Sequence, residues 1–340
     1  MKIDLAIIGQ GAVSPAGVRI EALLHGEPVP VLVAAHSRPD QPWPVLRVDL
    51  KNPAFARWQK EPRLRRASAI SFYLVEAAEQ ALANSSAAER AETGLIVVFS
   101  AGCLAYSRRF FEGIITQGQR AASPALFPET VFNSPVSHVA AVLGLNGAAY
   151  ALVGDEAAWV AGIKTASVWL RQGRVKQVLV LGAEEFDPIV LDAYRAARWL
   201  RCQNGSHGFL TSEGAAGVLL RQAQSEDGLV ITHARDGLIY RTKKEAGAAA
   251  EKLFHAVDPT LTCQHSAQRN WFGSIERRVT HDHPIISSHG SSYLGEAFTA
   301  SAAWNTLRAI PYLNEKTSRI LLPVWGLNHE VGSLELEKRK

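Results

Sequence analysis

Short, almost uninterrupted apolar segments alternate along this chain with longer segments in which apolar residues recur every three or four positions. The short segments are rich in Val, Ile and Leu, as is typical of parallel strands that are buried on both faces. The first segment is followed by Gly9-Gln10-Gly11, which predicts that the strand ends there in a tight turn. Strands are predicted at residues 3–8, 94–100, 148–154, 177–185 and 214–222, and helices at 66–82 and 157–173, with a further helix after Pro128 that Ser134 caps and Pro135 begins.

The pattern weakens after about residue 225. Two further strands are predicted at 228–234 and 319–327, with a helix at 301–310 between them. The composition changes at the same point, so the chain divides into residues 1–225 and 226–340. Alternation of apolar strands with helices predicts an α/β protein whose sheet is covered on both faces.

Composition and charge narrow the classes of function. The chain has 340 residues, of which 47% are hydrophobic and 20% charged, and its formal net charge is +4. Lys and Arg are scattered, apart from the short run Arg63, Arg65 and Arg66. This distribution predicts a surface that tolerates acidic partners and argues against a nucleic-acid-binding stripe.

Three widely spaced cysteines, Cys103, Cys202 and Cys263, form no CxxC pair. That spacing argues against a disulfide framework or a zinc site and favours a reducing compartment.

His281 and His283 have no further ligands at suitable spacing, so we interpret them as part of a solvated loop and predict no metal. No segment approaches the roughly 18 apolar residues of a membrane helix, so a cytoplasmic protein is expected.

Four segments, in order, resemble the β-ketoacyl-acyl-carrier-protein synthases. They are IIGQGAVSPAG near the start, SPALFPETVFNSPVSHVAAVLGLNG (123–147), LVLGAEEFDP (179–188) and HGFLTSEGAAGVLL (207–220). The resemblance covers about two thirds of the chain and implies the thiolase fold, a duplicated α-β-α-β-α sandwich of five layers. It implies that residues 1–225 are the N-terminal half and that residues 226–340 are a shortened C-terminal half.

The resemblance also identifies the position of the nucleophile. Aligning GLNGAAYALVGDEAAW with the family pattern GLxGPxxxxxTACATG places Glu156 where condensing synthases carry a cysteine. A carboxylate cannot hold an acyl chain as a thioester, so transacylation onto this chain is not available. Glu156 is similar in position to the glutamine of chain-length-factor subunits and decarboxylating synthase domains. Alternatively, it is an acid placed favourably near a helix N-terminus and has no other role.

The other positions of the family's active site have also changed. TCQHSAQRN (262–270) resembles the first histidine loop, with His265 in place, but lacks that loop's glycines and threonines. SSYLGEAFTASAAW (291–304) aligns with GHLLGAAGA and puts Ser292 at the second histidine, with His289 three residues upstream. WGLNHEV (325–331) aligns with FGFGGTN, so that Leu327 stands at the gating phenylalanine and Leu327 and Asn328 form the oxyanion and gating loop.

Cys103 and His138 remain to be placed. Cys103 follows a predicted strand, so it is either a relocated nucleophile of the kind thiolases carry early in the chain or a small buried residue of a turn. Cys202 and Cys263 lie in polar surroundings and show no paired base in the sequence. His138 is expected on a helix near a subunit contact.

These observations favour a chain-length-factor-like subunit that pairs with a cysteine-bearing ketosynthase, the two meeting along the strand at 148–154. Arg63, Arg65 and Arg66 are the predicted docking surface for an acidic acyl-carrier protein, and no cofactor is implied. The resemblance points to bacterial fatty-acid or type II polyketide systems, the aryl-polyene kind included. One alternative is a malonyl-carrier-protein decarboxylase that uses Glu156 and His265. The other is a thiolase-like acyltransferase that uses Cys103.

Overall fold

Thirteen strands and eleven α-helices are present in the residues that the computed structural model describes, which are 2–201, 208–255, 257–258, 261–264, 270–286, 291–327 and 330–339. The strands are β1 Lys2–Ser14, β2 Gly17–Val18, β3 Val31–Ala35, β4 Arg38–Val45, β5 Thr93–Phe99, β6 Ala149–Val153, β7 Gln177–Glu184, β8 Gly214–Gln222, β9 Leu229–Ile239, β10 Thr262–Gln264, β11 Ile285–Ile286, β12 Arg319–Trp325 and β13 Glu330–Lys338. The helices are α1 Ile20–His25, α2 Ala56–Gln59, α3 Ala69–Ala81, α4 Ala87–Ala91, α5 Leu104–Gln117, α6 Asn133–Leu143, α7 Ala158–Arg171, α8 Pro188–Ala196, α9 Lys243–His255, α10 Asn270–Val279 and α11 Thr299–Ala309.

The main sheet shows the duplication that the thiolase fold implies. In the described part of the chain its order is β11-β10-β12-β13-β9-β1-β8-β7-β5-β6, with β2 paired to β1. The first half contributes β1, β5, β6, β7 and β8 to this order, and the second half contributes β9 to β13. When these five strands are numbered along the chain within each half, both halves have the order third, second, fourth, fifth, first. The pairing senses repeat as well, because the fifth strand is antiparallel to its two neighbours and the second is parallel to its two. An antiparallel pair between β1 and β9 joins the halves.

Helices cover both faces of this sheet and give five layers. Along β5 and β7, side chains alternate between a core shared with α7 and α11 and a core shared with α3 and α6. The helices α9 and α10 cover the other face of the second half. The middle helices α7 and α11 are cross-linked, since Trp159 Nε1 donates a hydrogen bond to Thr306 Oγ1 at 2.9 Å. The predicted α/β class and the thiolase fold are therefore confirmed.

Gly9 and Gly11 do not form the predicted turn. β1 continues through both glycines to Ser14, with a register shift between Ile7 and Gly9. A Cβ atom on Gly9 would lie 2.0 Å from the carbonyl oxygen of Ala81, and one on Gly11 would lie 1.9 Å from that of Ala77. The glycines are required because α3 packs directly against the backbone of the strand.

Two other sequence predictions also differ from the structure. α6 begins at Asn133, so Ser134 lies inside the helix and does not cap it. Pro135 is the third residue, a position where the helix needs no backbone N–H donor. β6, predicted as a buried strand, is the terminal strand of the described sheet, and the side chains of Tyr150 and Val153 are 55% and 56% exposed. An apolar edge strand and a central strand have the same local sequence pattern, so periodicity does not separate them.

None of the helices in the described ranges is both long enough and apolar enough to span a membrane.

Candidate functional site

The turn between β6 and α7 brings Asp155 and Glu156 into the interior. The N–H of Gly154 donates to the carbonyl oxygen of Phe99 at 2.9 Å, which closes the end of β6. Asp155 then caps the next residues, because its Oδ1 accepts the N–H of Ala157 at 3.0 Å. The carboxyl groups of Asp155 and Glu156 are both buried. Glu156 therefore lies in a strand-to-helix turn, the local structure that the family resemblance implies for the nucleophile.

The carboxyl group of Glu156 contacts the loop after β12. Its Oε2 accepts the backbone N–H of Leu327 at 2.9 Å, so the structure brings together two residues that the sequence assigned to one site. Burial raises the pKa of Glu156 well above its usual value, and the neighbouring carboxyl groups of Glu296 and Asp155 raise it further. The N–H groups of Glu156 and Leu327 oppose this shift. The interior thus disfavours the charged form of Glu156, whose carboxyl oxygen accepts the Leu327 amide.

Glu296 is the residue of this site that sequence reasoning missed. It is buried, its Oε1 accepts the N–H of Phe298 at 2.8 Å, and its own N–H donates to the carbonyl oxygen of Leu210 at 2.7 Å. The available signal was in SSYLGEAFT, where Glu296 aligns with an alanine of the family pattern GHLLGAAGA. Within the described residues, no group of three or more His, Cys, Asp or Glu side chains is arranged to hold a metal ion.

The loop after β12 is held against the Asp155–Glu156 turn at a second point. A Cβ atom on Gly326 would lie 2.1 Å from Oδ2 of Asp155, so a larger residue here would require the Asp155 carboxyl group to shift. The carbonyl oxygen of Gly326 also accepts the hydroxyl of Tyr240 at 2.7 Å. The described part of this loop is therefore fixed on both sides.

Three other buried carboxyl groups bind backbone amides near the ends of β7 and β8. Glu184 accepts the N–H groups of residues 100–102 at 2.9–3.2 Å, and Glu185 accepts those of Ile70 and Ala105. Glu213 accepts Nε of Arg47 at 2.6 Å and two further amides. Burial raises the pKa of Glu184 to about 8 and that of Glu185 to about 7, against the effect of the amides. These hydrogen bonds hold the loops in place, so the three carboxyl groups have a structural role that explains their burial.

The surroundings of Cys103 do not favour a nucleophile. The thiol is buried, and its Sγ donates to the carbonyl oxygen of Val131 at 3.7 Å. Burial raises the pKa of the Cys103 thiol, and the carboxyl group of Glu185 raises it further. The nearby ionisable groups thus oppose formation of the thiolate that an acyltransferase would need. Cys263 is likewise buried with a raised pKa, in contrast to the polar surroundings that its sequence suggested.

The remaining predicted residues are distributed as follows. His265 and Asn328 lie outside the described residues, as do His289 and Cys202, and the side chain of Ser292 is not described. Arg63, Arg65 and Arg66 are exposed around the short 3-10 helix Pro62–Leu64 that precedes α3. His138 lies on α6, as expected, and its Nε2 is 3.0 Å from a carboxylate oxygen of Glu129.

Exposed apolar side chains concentrate around β6, α5, α6 and the segment 127–132, which we call the edge face. α5 packs on residues 127–130, these residues pack on α6, and α6 packs on β6. α5 has 14 residues and buries none of them, and its Ile115 is 81% exposed. The other exposed apolar residues of the edge face are Phe111, Phe127, Val131, Phe132, Tyr150 and Val153. An apolar surface beside a terminal strand is typical of a protein–protein interface.

Comparison with known proteins agrees with this architecture. The model of the family "Beta-ketoacyl synthase, N-terminal domain" matches residues 45–226, which is more than half of the chain. A structure described as "The ishigamide ketosynthase/chain length factor" superposes with a TM-score of 0.80 at 18% identity, covering 99% of this chain and 100% of that one. No curated protein sequence matches the chain.

Two further solved structures superpose over 100% of both chains. One is a type II polyketide acyl-carrier protein in complex with its ketosynthase, AntDE:AntF, with a TM-score of 0.77 at 18% identity. The other is a β-ketoacyl synthase from Burkholderia phymatum, with a TM-score of 0.76 at 15% identity. At these identities the similarity establishes the fold.

Proposed function

The chain belongs to the β-ketoacyl synthase family, and from this premise we propose that it is a non-condensing, chain-length-factor-like subunit that pairs with an active, cysteine-bearing ketosynthase. The observation that carries the proposal is the buried carboxyl group of Glu156 at the nucleophile position, bonded to the amide of Leu327. The proposed setting is bacterial fatty-acid or polyketide-type biosynthesis in the cytoplasm, with type II polyketide and aryl-polyene systems as the pathways to test.

The chemistry of Glu156 supports the loss of condensation. Transfer of an acyl chain onto the enzyme needs a thiolate that attacks the thioester and backbone N–H groups that stabilise the oxyanion. The carboxyl group of Glu156 has no sulfur atom, so it cannot hold an acyl chain as a thioester. Its oxygen also occupies the N–H of Leu327, the donor that the gating-loop alignment assigns to the oxyanion. Both requirements are therefore unmet at this turn.

The edge face supports pairing. β6 ends the described sheet and leaves a strand edge available to a partner, and exposed apolar side chains of α5 and residues 127–132 lie on the same edge face. A partner of the same fold could pair its own corresponding strand with β6 and cover this apolar surface. The comparison structure whose description names both a ketosynthase and a chain length factor provides a precedent for such a pair.

Arg63, Arg65 and Arg66 support a carrier-protein surface. All three are exposed within one short segment, so their charges add at close range. An acidic acyl-carrier protein is the partner that fits this charge, and it would be steered electrostatically toward the pair. The comparison structure of a ketosynthase with its carrier protein is consistent with a partner of this class.

Co-expression tests the pairing. The chain is produced with a tagged ketosynthase encoded beside it, and the purified complex is measured by analytical ultracentrifugation. A 1:1 complex is expected, and Val153→Lys should abolish it because β6 is on the edge face. Ile239→Lys is the matched control, because Ile239 is a strand residue that is 76% exposed outside that face.

Activity assays test the non-condensing role. Glu156→Cys should not give the isolated chain condensing activity, because other active-site positions have also changed. If the isolated wild-type chain releases CO2 from malonyl-carrier protein and Glu156→Ala abolishes the release, the decarboxylase alternative replaces our proposal.

A further inference from the structure

Phe298 has a backbone conformation that suits glycine. Its φ is 48° and its ψ is −111°, close to the first central residue of a type II′ turn. Glycine dominates that position because a Cβ atom there is strained against the neighbouring backbone. Among the described non-glycine residues with a positive φ, Phe298 is the only aromatic residue. The rest of the structure must therefore hold Phe298 in place.

The sequence shows what has been replaced. When SSYLGEAFT is aligned with the family pattern GHLLGAAGA, Phe298 falls on the second glycine that follows the histidine, and Glu296 falls on an alanine. The observed φ agrees with a glycine at this position. Two small residues of the pattern have therefore become large ones in this chain.

The ring of Phe298 is buried in an aromatic cluster formed by Tyr194, Trp199, Phe209 and Phe298. The Phe298 ring centroid lies 5.5 Å from that of Tyr194 and 6.2 Å from that of Phe209. Tyr194 in turn stacks on Trp199 at 5.7 Å. Such contacts stabilise the buried ring and offset the strain of its backbone.

The aromatic cluster lies beside the carboxyl groups of the candidate site. The N–H of Phe298 donates to Oε1 of Glu296, whose charge acts on Glu156. Burial raises the pKa of Tyr194, and Glu184, Glu156 and Glu296 all raise it further, so the hydroxyl of Tyr194 lies near these acids. Leu327, whose amide contacts Glu156, belongs to the same apolar core as Phe298.

We propose that Phe298 is an internal plug that fills the apolar space beside the nucleophile position, where an acyl chain would otherwise lie. The inference deepens the proposed function and rests on it: the chain not only lacks a group to carry an acyl chain but also keeps the adjoining space closed. The ligand class that the unplugged space would accept is a short acyl group, because removing the Phe298 side chain vacates about the volume of a single ring. Phe298 is thus the residue that excludes such a group from this subunit.

The test is Phe298→Gly, with Phe55→Gly as the matched control. Phe55 is a fully buried phenylalanine in the core beneath α3, and its φ of −85° is ordinary. Binding of hexanoic acid is measured by isothermal titration calorimetry, and titration with acetic acid shows whether the apolar chain is required. We expect saturable binding at one site for Phe298→Gly and none for the wild type or for Phe55→Gly. The melting temperature should fall less for Phe298→Gly than for Phe55→Gly, because glycine relieves the strain at residue 298.

Two results would overturn the plug: a folded Phe298→Gly protein that binds no probe, or a wild-type protein that binds it as tightly as the variant does. If Phe298→Gly does not fold, the same titration with Phe298→Ala, which also removes the ring, decides, with saturable binding supporting the plug and its absence refuting it. Pairing with the ketosynthase is measured in parallel for each variant. Probe binding without pairing would refute the proposed function alone, whereas pairing without probe binding would refute the plug alone.

Discussion

Replacing Gly11 by alanine tests the contact that fixes α3 on the sheet. The added Cβ atom would lie 1.9 Å from the carbonyl oxygen of Ala77 and 2.9 Å from Cβ of Gln80. Both neighbours belong to the C-terminal half of α3, and the nearest atom is backbone, so no rotamer change relieves the clash. The helix must therefore move away from β1 by about 1 Å or more in a close-packed interior.

The cost follows from two contributions. Overpacking a well-filled interior costs about 1–3 kcal/mol. The same movement strains the bond that Ala12 N–H donates to Oε1 of Gln80 at 3.0 Å, and losing such a bond costs about 1 kcal/mol. We therefore expect Gly11→Ala to lower the free energy of unfolding by about 2–4 kcal/mol, a large share of the roughly 5–15 kcal/mol of a typical protein.

Urea unfolding followed by tryptophan fluorescence measures the change. Gly113→Ala is the control, because Gly113 lies inside α5 and a Cβ atom there would have its nearest neighbour at 3.9 Å. Alanine is the better helix former, so this variant should gain about 0.5–1 kcal/mol. If Gly11→Ala unfolds within about 0.5 kcal/mol of the wild type, α3 does not depend on the glycine, and the packing explanation is wrong.

Three further predictions follow from single contacts. Iodoacetamide should label Cys103 in urea but not in the native protein at pH 7.5, as mass spectrometry of digested samples will show, because the thiol is buried and its pKa is raised. Trp159→Phe should lower the free energy of urea unfolding by about 1 kcal/mol, because it removes the hydrogen bond to Thr306 between α7 and α11. Raising the pH from 5 to 8 should also lower that free energy, because the pKa of Glu184 is raised to about 8 and that of Glu185 to about 7, so both stay protonated in the fold at pH values where the unfolded chain has already released these protons. The substitutions Glu184→Gln and Glu185→Gln should flatten that pH dependence.

The first half of the fold was predictable because its strands are long and uniformly apolar. The prediction at 214–222 coincides with β8, and that at 177–185 exceeds β7 by one residue. In the second half, β10 and β11 have three and two residues, which is too short for any periodicity to develop. The repeated strand order, which shows the duplication directly, depends on pairings between distant segments that no local pattern contains.

The ends of elements were less predictable, and the glycines show why. A glycine signals either a turn or a close backbone approach, and the local sequence of Gly9 and Gly11 is compatible with both. The choice is made by α3, which lies about 70 residues later in the chain and packs on both positions. The exposure of β6 is likewise decided by its place at the end of the sheet.

At the candidate site, family alignment located Glu156 and Leu327, but it did not show what their side chains and amides contact. The bond between them joins residues 171 positions apart, and Glu296 reaches the same place from a third segment. Acidic side chains are common on protein surfaces, so a glutamate in a sequence predicts solvent exposure by default. Only the folded chain shows that Glu156 and Glu296 are buried together.

The changed positions of the site depend on one another. Glu156 is stabilised in the interior by the amide of Leu327, and Glu296 by the amide of Phe298, so each acid uses a backbone donor that the neighbouring loop supplies. Phe298 in turn is retained in a glycine conformation by its aromatic contacts. If one of these residues is changed back to the residue of the family pattern, the other side chains remain and still accept the same backbone N–H groups. A site altered in this concerted way has a self-consistent packing of its own, so the fold and its edge face would persist in the non-condensing subunit that we propose.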